Sequence, residues 1–181
     1  MPDTFDLDRF RSYLHLLAHL HLRDRAAGQL DASDVVQQTM LEAHRNRAAC
    51  RADNDAGRAA WLRQILAHTI ADAVRARHRA KRDLKRVQSL EAGLAESSIR
   101  LGQWLAASGA SPSAAADAHE QGLRLAAALA ELPDAQREAL VLQHWHGQTL
   151  AQIGDLMGRS PEAVAGLLKR GLKRLRELLS A

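Results

Sequence analysis

The chain has 181 residues, enough for one ordinary domain or two small ones, and its apolar content of 46% excludes a wholly disordered protein. Aromatic residues make up only 3% and Val and Ile are sparse, so the composition favours an all-α fold. The only cysteine, Cys50, excludes an intramolecular disulfide and a cysteine-based zinc site, and the distribution of the net charge of +4 is more informative than its size.

The N-terminal stretch MPDTFDLDRFR is acidic and lacks the apolar core of a signal peptide. No run of the sequence approaches the ~20 apolar residues that a membrane span requires. We therefore expect a soluble, cytoplasmic protein without a membrane partner.

Apolar residues at three- and four-residue steps predict a first helix from about Leu7 to Leu22. A second helix follows, with Asp31 or Ser33 as its cap and Val35 among its apolar positions.

The stretch from Arg45 to Gly57 is polar and predicts a loop, after which a third helix begins near Arg58. Its far end is the basic run RARHRAKRDLKR. The buried stripe of this helix is expected to be Leu62, Ile65, Leu66, Thr69 and Ala73.

The apolar signal weakens between Leu84 and Glu120, where a short helix could be lined by a few leucines and Trp104. The segment AASGASPSAAAD has the composition of a linker. We therefore predict an N-terminal helical domain at 1–86, a flexible linker at 87–120 and a second helical domain at 121–181.

Four helices are predicted in the second domain, at Leu125 to Leu132, Ala135 to Trp145, Leu150 to Met157 and Pro161 to Leu179. The last two are joined by a tight turn, which is typical of a helix-turn-helix, although an ordinary αα-hairpin has the same pattern.

Particular residues shape this turn. Gly154 is expected to allow close approach of the two helices, and Gly158 to take the left-handed conformation that ends the first of them. Ser160 is a good N-cap for the last helix, with Val164 and Leu168 in its core.

The segment LAELPDAQREALVLQHWHGQTLAQIGDLMGRSPEAVAGLLKRGLKRLRELL resembles region four of the extracytoplasmic-function (ECF) sigma factors of bacterial RNA polymerase. DASDVVQQTMLEAHR followed by AAWLRQILAHTIADAVRARHR is similar to region two of that family, and the last helix looks most like a planctomycete-type subgroup. The resemblance implies a protein without a catalytic site or cofactor that binds core polymerase and promoter DNA.

In this family, region two binds the β′ clamp coiled coil, and the resemblance assigns that role to Asp31, Asp34, Gln37, Gln38 and Glu42. Two positions that are usually acidic are neutral here, one of them Ser33, so the electrostatic contribution should be weaker. Phosphorylation of Ser33 by a regulatory kinase would restore a negative charge. An anti-sigma factor is the other regulatory partner that we consider.

Region two also reads the −10 element. By resemblance, contact with its bases and phosphates is assigned to Asn54, Arg63, His68, Arg75, Arg77, Arg79, Lys81 and Arg82.

Region four binds the β flap and reads the −35 element, for which the candidates are Arg159, Ser160, Ala165, Leu167, Lys169, Arg170 and Lys173. The Lys, Ser and Arg that the family normally uses to read bases are replaced by Ala165, Gly166 and Leu167. We therefore expect phosphate contacts, thymine-methyl contacts from Ala165 or Leu167, and a loose −35 preference.

Other interpretations of the protein's function are less favoured. A helix-turn-helix regulator that acts without polymerase would leave the region two segment unexplained. An enzyme is not expected, because phosphate-loop and nucleophile motifs are absent. His15 and His19 share a helix face, but a zinc site needs a third ligand and none is indicated, so we predict no metal.

Overall fold

The computed structural model describes residues 6–26, 30–78, 84–107 and 118–180, and the regular secondary structure within these ranges is entirely helical, which confirms the all-α class. No helix in this part of the chain is long and apolar enough to span a bilayer. The described α-helices are α1 (Arg11–Ala26), α2 (Ala32–Arg45), α3 (Asp55–His78), α4 (Leu84–Ala107), α5 (Ala118–Ala130), α6 (Asp134–His144), α7 (Leu150–Met157) and α8 (Pro161–Ser180).

Caps explain where α2 and α3 begin. Asp31 is the N-cap of α2, and its side chain accepts a hydrogen bond from the backbone N–H of Ser33 at 2.8 Å. The α3 helix begins before the predicted Arg58, because Asn54 accepts a hydrogen bond from the N–H of Gly57 at 2.8 Å. The loop between the two helices is therefore shorter than predicted, and Arg47–Ala49 forms a 3-10 turn within it.

Helices α1, α2 and α3 bury their apolar faces against one another. The most deeply buried side chains of this group include Phe10, Tyr13, Leu14, Leu17, Leu20, Leu62 and Leu66. The predicted stripe of α3 is largely correct, with Thr69 buried and Ile65 half-buried. The sequence pattern thus located this three-helix unit well.

The α4 helix corrects the linker prediction for residues 87–107. This stretch forms most of one long helix that packs between α3 and α5 and buries Leu90, Leu94 and Leu101. The Ser- and Ala-rich stretch at 108–117 lies outside the described residues, so the linker prediction there is untested.

A buried polar network anchors α4 to the first three helices. The hydroxyl of Tyr13 on α1 donates to the Oγ of Ser98 on α4 at 2.7 Å, and Arg63 on α3 donates to the same hydroxyl at 2.7 Å. Nearby, His21 Nε2 lies 3.0 Å from Ser97 Oγ. Burial strengthens such contacts and penalises their loss, so the network fixes the position of α4.

Aromatic contacts hold the C-terminal end of α4 against the second helical unit, which consists of α5 to α8. The Arg100 guanidinium lies 4.2 Å from the centre of the Trp145 ring and donates to the Trp145 carbonyl at 3.3 Å. Trp104 stacks on His144 with ring centres 5.1 Å apart. The two units also meet directly, since α1 packs on α5 and His19 Nε2 lies 3.6 Å from Glu138 Oε2 on α6.

Candidate nucleic-acid and protein interfaces

The turn between α7 and α8 has the geometry that the glycines predict. Gly158 ends α7 with φ of 63°, in the left-handed region. A Cβ on Gly154 would lie 2.6 Å from the carbonyl oxygen of Arg159, so only glycine permits this close approach. At the other end, Thr149 and Gln152 form a capping box.

The α8 helix begins with the predicted cap. Ser160 Oγ accepts a hydrogen bond from the N–H of Ala163 at 3.2 Å, and Pro161 is the first helical residue. The Glu162 carboxylate accepts hydrogen bonds from its own backbone N–H and from Ser160, which lowers its pKa. Val164 and Leu168 are buried, as predicted.

Leu167 is a correction to the −35 prediction. It is only 7% exposed, because it lies on the same stripe as Val164, Leu168 and Gly171 and packs inward. It cannot contact a thymine methyl while α8 is folded onto its neighbours, which leaves Ala165 as the exposed candidate.

The outer face of α8 combines residues that have little or no side chain with positively charged side chains. Gly166 carries no side chain, and the Arg170 guanidinium occupies the adjacent space, with Nη1 3.3 Å from where a Cβ on Gly166 would lie. The other predicted −35 residues are also exposed, namely Arg159, Ser160, Lys169 and Lys173. This face therefore offers cations for phosphates and little that could read bases.

The predicted polymerase-binding residues share the exposed side of α2. Asp31, Asp34, Gln37 and Gln38 are exposed, and the half-buried Glu42 accepts hydrogen bonds from Gln38 Nε2 at 3.1 Å and from Arg45 at 3.2 Å.

One candidate on this side of α2 was missed by the sequence reasoning. Leu41 is 46% exposed, although its place in an apolar helix pattern suggests a core residue. An exposed leucine on the helix that carries the predicted polymerase-binding residues is consistent with a protein interface.

Arg63 is a correction to the −10 prediction. It is only 6% exposed and its guanidinium is bonded to Tyr13, so it supports the fold and cannot reach DNA. Asn54 remains exposed, but its Oδ1 is committed to capping α3.

The other −10 candidates differ in their surroundings. Arg75 pairs with Asp72 one turn away, and the exposed His68 lies 3.8 Å from Glu91 on α4. The side chain of Arg77 and the residues Arg79, Lys81 and Arg82 lie outside the described part of the structure.

A groove with a volume of about 590 Å³ runs between α2 and α3. It brings predicted polymerase-binding residues of α2 together with the α3 residues His68 and Asp72. The full lining is Leu30, Asp31, Asp34, Val35, Gln38, Glu42, Asn46, Ile65, His68, Thr69, Asp72, Ala73 and Ala76.

The histidines considered for a metal site make other contacts. His15 Nε2 lies 3.2 Å from Ser33 Oγ, and His19 faces Glu138. Within the described ranges, no group of three or more His, Cys, Asp or Glu side chains could hold a metal ion.

Two separate segments of the chain match models of known protein families. A family model described as Sigma-70 region 2 matches residues 8–80, and one described as Sigma-70, region 4 matches residues 122–175. The first spans α1 to α3, and the second includes the α7–α8 turn.

One curated protein and one solved structure that are similar to this chain are both named as sigma factors. The chain is 33% identical over 63 residues to RNA polymerase sigma factor SigO of Bacillus subtilis (strain 168), a match that covers 35% of this chain and 36% of that protein. A solved structure titled as the sigma factor RpoE in complex with the anti-sigma factor NepR from Bartonella quintana is 19% identical, covers 96% of both chains and has a TM-score of 0.36. The two Sigma-70 matches, in their usual order along one chain, show that the protein belongs to the sigma-70 family and carries its regions 2 and 4.

Proposed function

We propose that the protein is an ECF-type sigma factor that binds core RNA polymerase and directs promoter-specific transcription initiation. The observation that carries this proposal is the presence of both Sigma-70 regions in one chain, with an acidic exposed side on α2 and a basic exposed face on α8. A planctomycete-like subgroup remains a prediction.

Run-off transcription with bacterial core polymerase and a randomised promoter library tests the proposal. A promoter-dependent product is expected with the wild-type chain. Asp34→Lys should abolish it, because a cation there opposes a basic clamp surface. Glu96→Lys on α4 is the matched control and should leave the product unchanged, since Glu96 is exposed and belongs to no proposed interface.

The alternative is a helix-turn-helix regulator that acts without core polymerase. For such a regulator, Asp34→Lys would have no effect on DNA occupancy or on transcription by a separate holoenzyme. Absence of any promoter-dependent product, together with unchanged DNA binding by Asp34→Lys, would favour this alternative over the sigma factor.

Regulation by an anti-sigma factor or by a kinase also belongs to the proposal. Ser33 is exposed, and its Oγ lies beside the His15 ring at the start of α2, which supports access to a modifying enzyme. A phosphate there would add negative charge at a helix N-terminus. Equal core binding by wild type, Ser33→Ala and Ser33→Glu would contradict this role.

A further inference from the structure

A second cavity, which we call the junction pocket, lies where α1 meets the second helical unit. It has a volume of about 630 Å³ and is lined by residues of α1, α5 and α6, together with Met157 of α7. This volume falls within the range of about 300–1,000 Å³ that is typical of small-molecule sites. Because both helical units contribute walls, a molecule bound in the junction pocket would contact both of them.

Much of the lining of the junction pocket is apolar. Leu16 of α1, Leu129 of α5 and Val141 of α6 are buried side chains that line it. Small side chains at Ala130 and Ala135 also line the pocket and leave space that larger residues would fill. The pocket can therefore take up the apolar part of a ligand, whose transfer from water is favourable.

The polar lining includes a row of basic groups on α1. Arg11, His15 and His19 follow one another at four-residue steps, so they share one side of the helix. At a rise of 1.5 Å per residue the row is about 12 Å long, which suits a ligand of medium chain length. Arg11 pairs with Asp8 at 2.9 Å, but both side chains are more than half exposed, so an anionic ligand can replace Asp8 at little cost.

Two carboxylates also line the junction pocket, and basic groups of the protein already face both of them. Asp134 pairs with Arg137 on the same helix. Glu138 Oε2 lies 3.6 Å from His19 Nε2 across the junction. These contacts offset the negative charge of the two carboxylates, and Arg11 and His15 are left as the basic groups for a ligand.

The surroundings of His15 favour a negative charge. Burial lowers the pKa of His15, and the charges of His19 and Arg137 lower it further, although Asp31 opposes this shift. Positive charges that disfavour a proton on the imidazole ring stabilise an anion placed beside it. The electrostatics at this point of the pocket thus suit a carboxylate better than an ammonium group.

We propose that the junction pocket binds an amphipathic carboxylate of medium chain length, with its carboxylate at Arg11 and His15 and its alkyl chain against Leu129 and Val141. The Arg11 guanidinium offers the planar pair of N–H donors that a carboxylate accepts. A ligand that contacts both units stabilises the arrangement in which they touch, by mass action. The regulatory consequence rests on the proposed function: the ligand lowers promoter-dependent transcription, because contact with both promoter elements requires the units to separate.

Isothermal titration calorimetry of the full-length chain with decanoate tests the site. Decyltrimethylammonium has the same alkyl chain and the opposite charge, and it should bind at least about tenfold more weakly than decanoate. Arg11→Gln should weaken decanoate binding by about tenfold, because it removes the cation and keeps a polar side chain. Arg51→Gln, at an exposed position in the loop before α3, is the matched control and should stay within about twofold of wild type.

Ala130→Leu tests the apolar part of the junction pocket by occupying its space. Ala130 is exposed at the end of α5 and leucine is a good helix former, so the variant should fold and should bind decanoate about tenfold more weakly. Ala127→Leu makes the same change at an exposed position of α5 that does not line the pocket, and it should bind as wild type does. Circular dichroism checks the fold of every variant.

The outcomes separate the inference from the proposed function. Failure of the wild-type chain to bind decanoate, or equal affinity for decanoate and decyltrimethylammonium, would overturn the inference and leave the sigma factor function intact. In run-off transcription, decanoate should reduce the product made with the wild-type chain more than the product made with Ala130→Leu, and an equal reduction would disprove the regulatory role. If decanoate binds but no chain gives a promoter-dependent product, the site stands and the proposed function is wrong.

Discussion

At the scale of single residues, Gly154 and Gly166 show why two helical glycines have different roles. A side chain at Gly154 would meet the rigid backbone of Arg159, whereas one at Gly166 would meet only the flexible end of Arg170. The first glycine therefore fixes the approach of α7 and α8, and the second leaves room on α8 that the movable end of Arg170 occupies.

This difference gives a paired stability prediction. Gly154→Ala should lower the free energy of unfolding by about 1–3 kcal/mol, because the added methyl forces the turn apart. Gly166→Ala should raise it by up to about 1 kcal/mol, because alanine favours the helix and Arg170 can move aside. Urea denaturation measures both, and destabilisation of equal size would contradict the role assigned to Gly154.

Arg63 and Tyr13 give a second prediction at this scale. Arg63→Met and Tyr13→Phe should each lower the free energy of unfolding by about 1–3 kcal/mol. The first removes a buried hydrogen bond that the Tyr13 hydroxyl accepts, and the second leaves the buried Arg63 guanidinium without this acceptor. The double variant should cost less than the sum, since both changes break one contact. Additive losses in a double-mutant cycle would show that the two side chains act independently.

Histidine burial predicts the direction of the pH dependence. Burial, followed by the charges of His19 and Arg137, lowers the pKa of His15 below its ordinary value of 6.5, although Asp31 opposes this shift. Burial also lowers the pKa of His144. The folded chain therefore binds fewer protons than the unfolded chain near these values, and stability present above pH 6.5 is lost as the pH falls below it.

The measurement is the midpoint urea concentration between pH 7.5 and 5.5, which should decrease with pH. His15→Gln keeps a hydrogen-bonding group beside Ser33 but cannot titrate, so its curve should be flatter, and His144→Gln should flatten it further. Parallel curves for the wild type and both variants would exclude these histidines as the cause.

At the scale of helices, α4 and α8 show what a sequence pattern can and cannot reveal. The bounds of α7 and the start of α8 follow from local signals such as Gly158, Ser160 and Pro161. The α4 helix was underestimated because its buried face contains Ser97 and Ser98, which interrupt the apolar pattern. The hydrogen-bond partners of these two serines lie on α1, which is distant in the sequence. A local sequence pattern therefore cannot reveal these contacts.

For the candidate interfaces too, a local sequence pattern reveals some features and misses those that depend on distant residues. The burial of Leu167 could have been predicted from the sequence, because Leu167 lies three residues after Val164 on the inward stripe of α8. Burial of Arg63 could not, since it depends on a hydroxyl contributed by another helix. The groove between α2 and α3 likewise arises only when the two helices pack.

The exposed cations of α8 give an element-scale prediction about DNA. Lys169→Ala, Arg170→Ala and Lys173→Ala should each reduce the salt dependence of binding to a duplex carrying only the −35 element by about one unit of slope. Arg51→Ala, in the loop before α3, is the control and should keep the slope. Base changes in the −35 element should have modest effects, and loss of binding after every single base change would contradict a phosphate-based interface.

At the scale of the whole molecule, the proposed function predicts that the two regions separate on the promoter. Elements centred near −10 and −35 are about 25 base pairs apart, or about 85 Å along B-DNA. A compact chain of 181 residues has a radius of gyration of about 16 Å. Contact with both elements, as proposed above, requires the contacts of α5 and α6 with α1 and α4 to open, whereas the buried Tyr13 network keeps α4 with the first region.

A distance measurement tests this opening. Cys50 is the only native cysteine, and Ser180→Cys adds a second labelling site at the exposed end of α8. Energy transfer between dyes at these sites should be high in the free chain and should fall when core polymerase and promoter DNA are added together. Arg100→Ala should lower the transfer in the free chain, because it removes a contact between α4 and Trp145. Unchanged transfer on promoter binding would show that the regions do not separate.

Because the outer face of α8 carries mostly small side chains near its start, the proposed −35 contacts could be redesigned there. Ala163 and Ala165 are exposed, and a side chain at Gly166 would displace only the end of Arg170. Donor side chains can thus be installed at three neighbouring positions while Val164 and Leu168 keep α8 in place. With α8 at the −35 element, as proposed, a library at these positions should yield variants that prefer different −35 sequences, which would allow several independent gene circuits to operate in one cell.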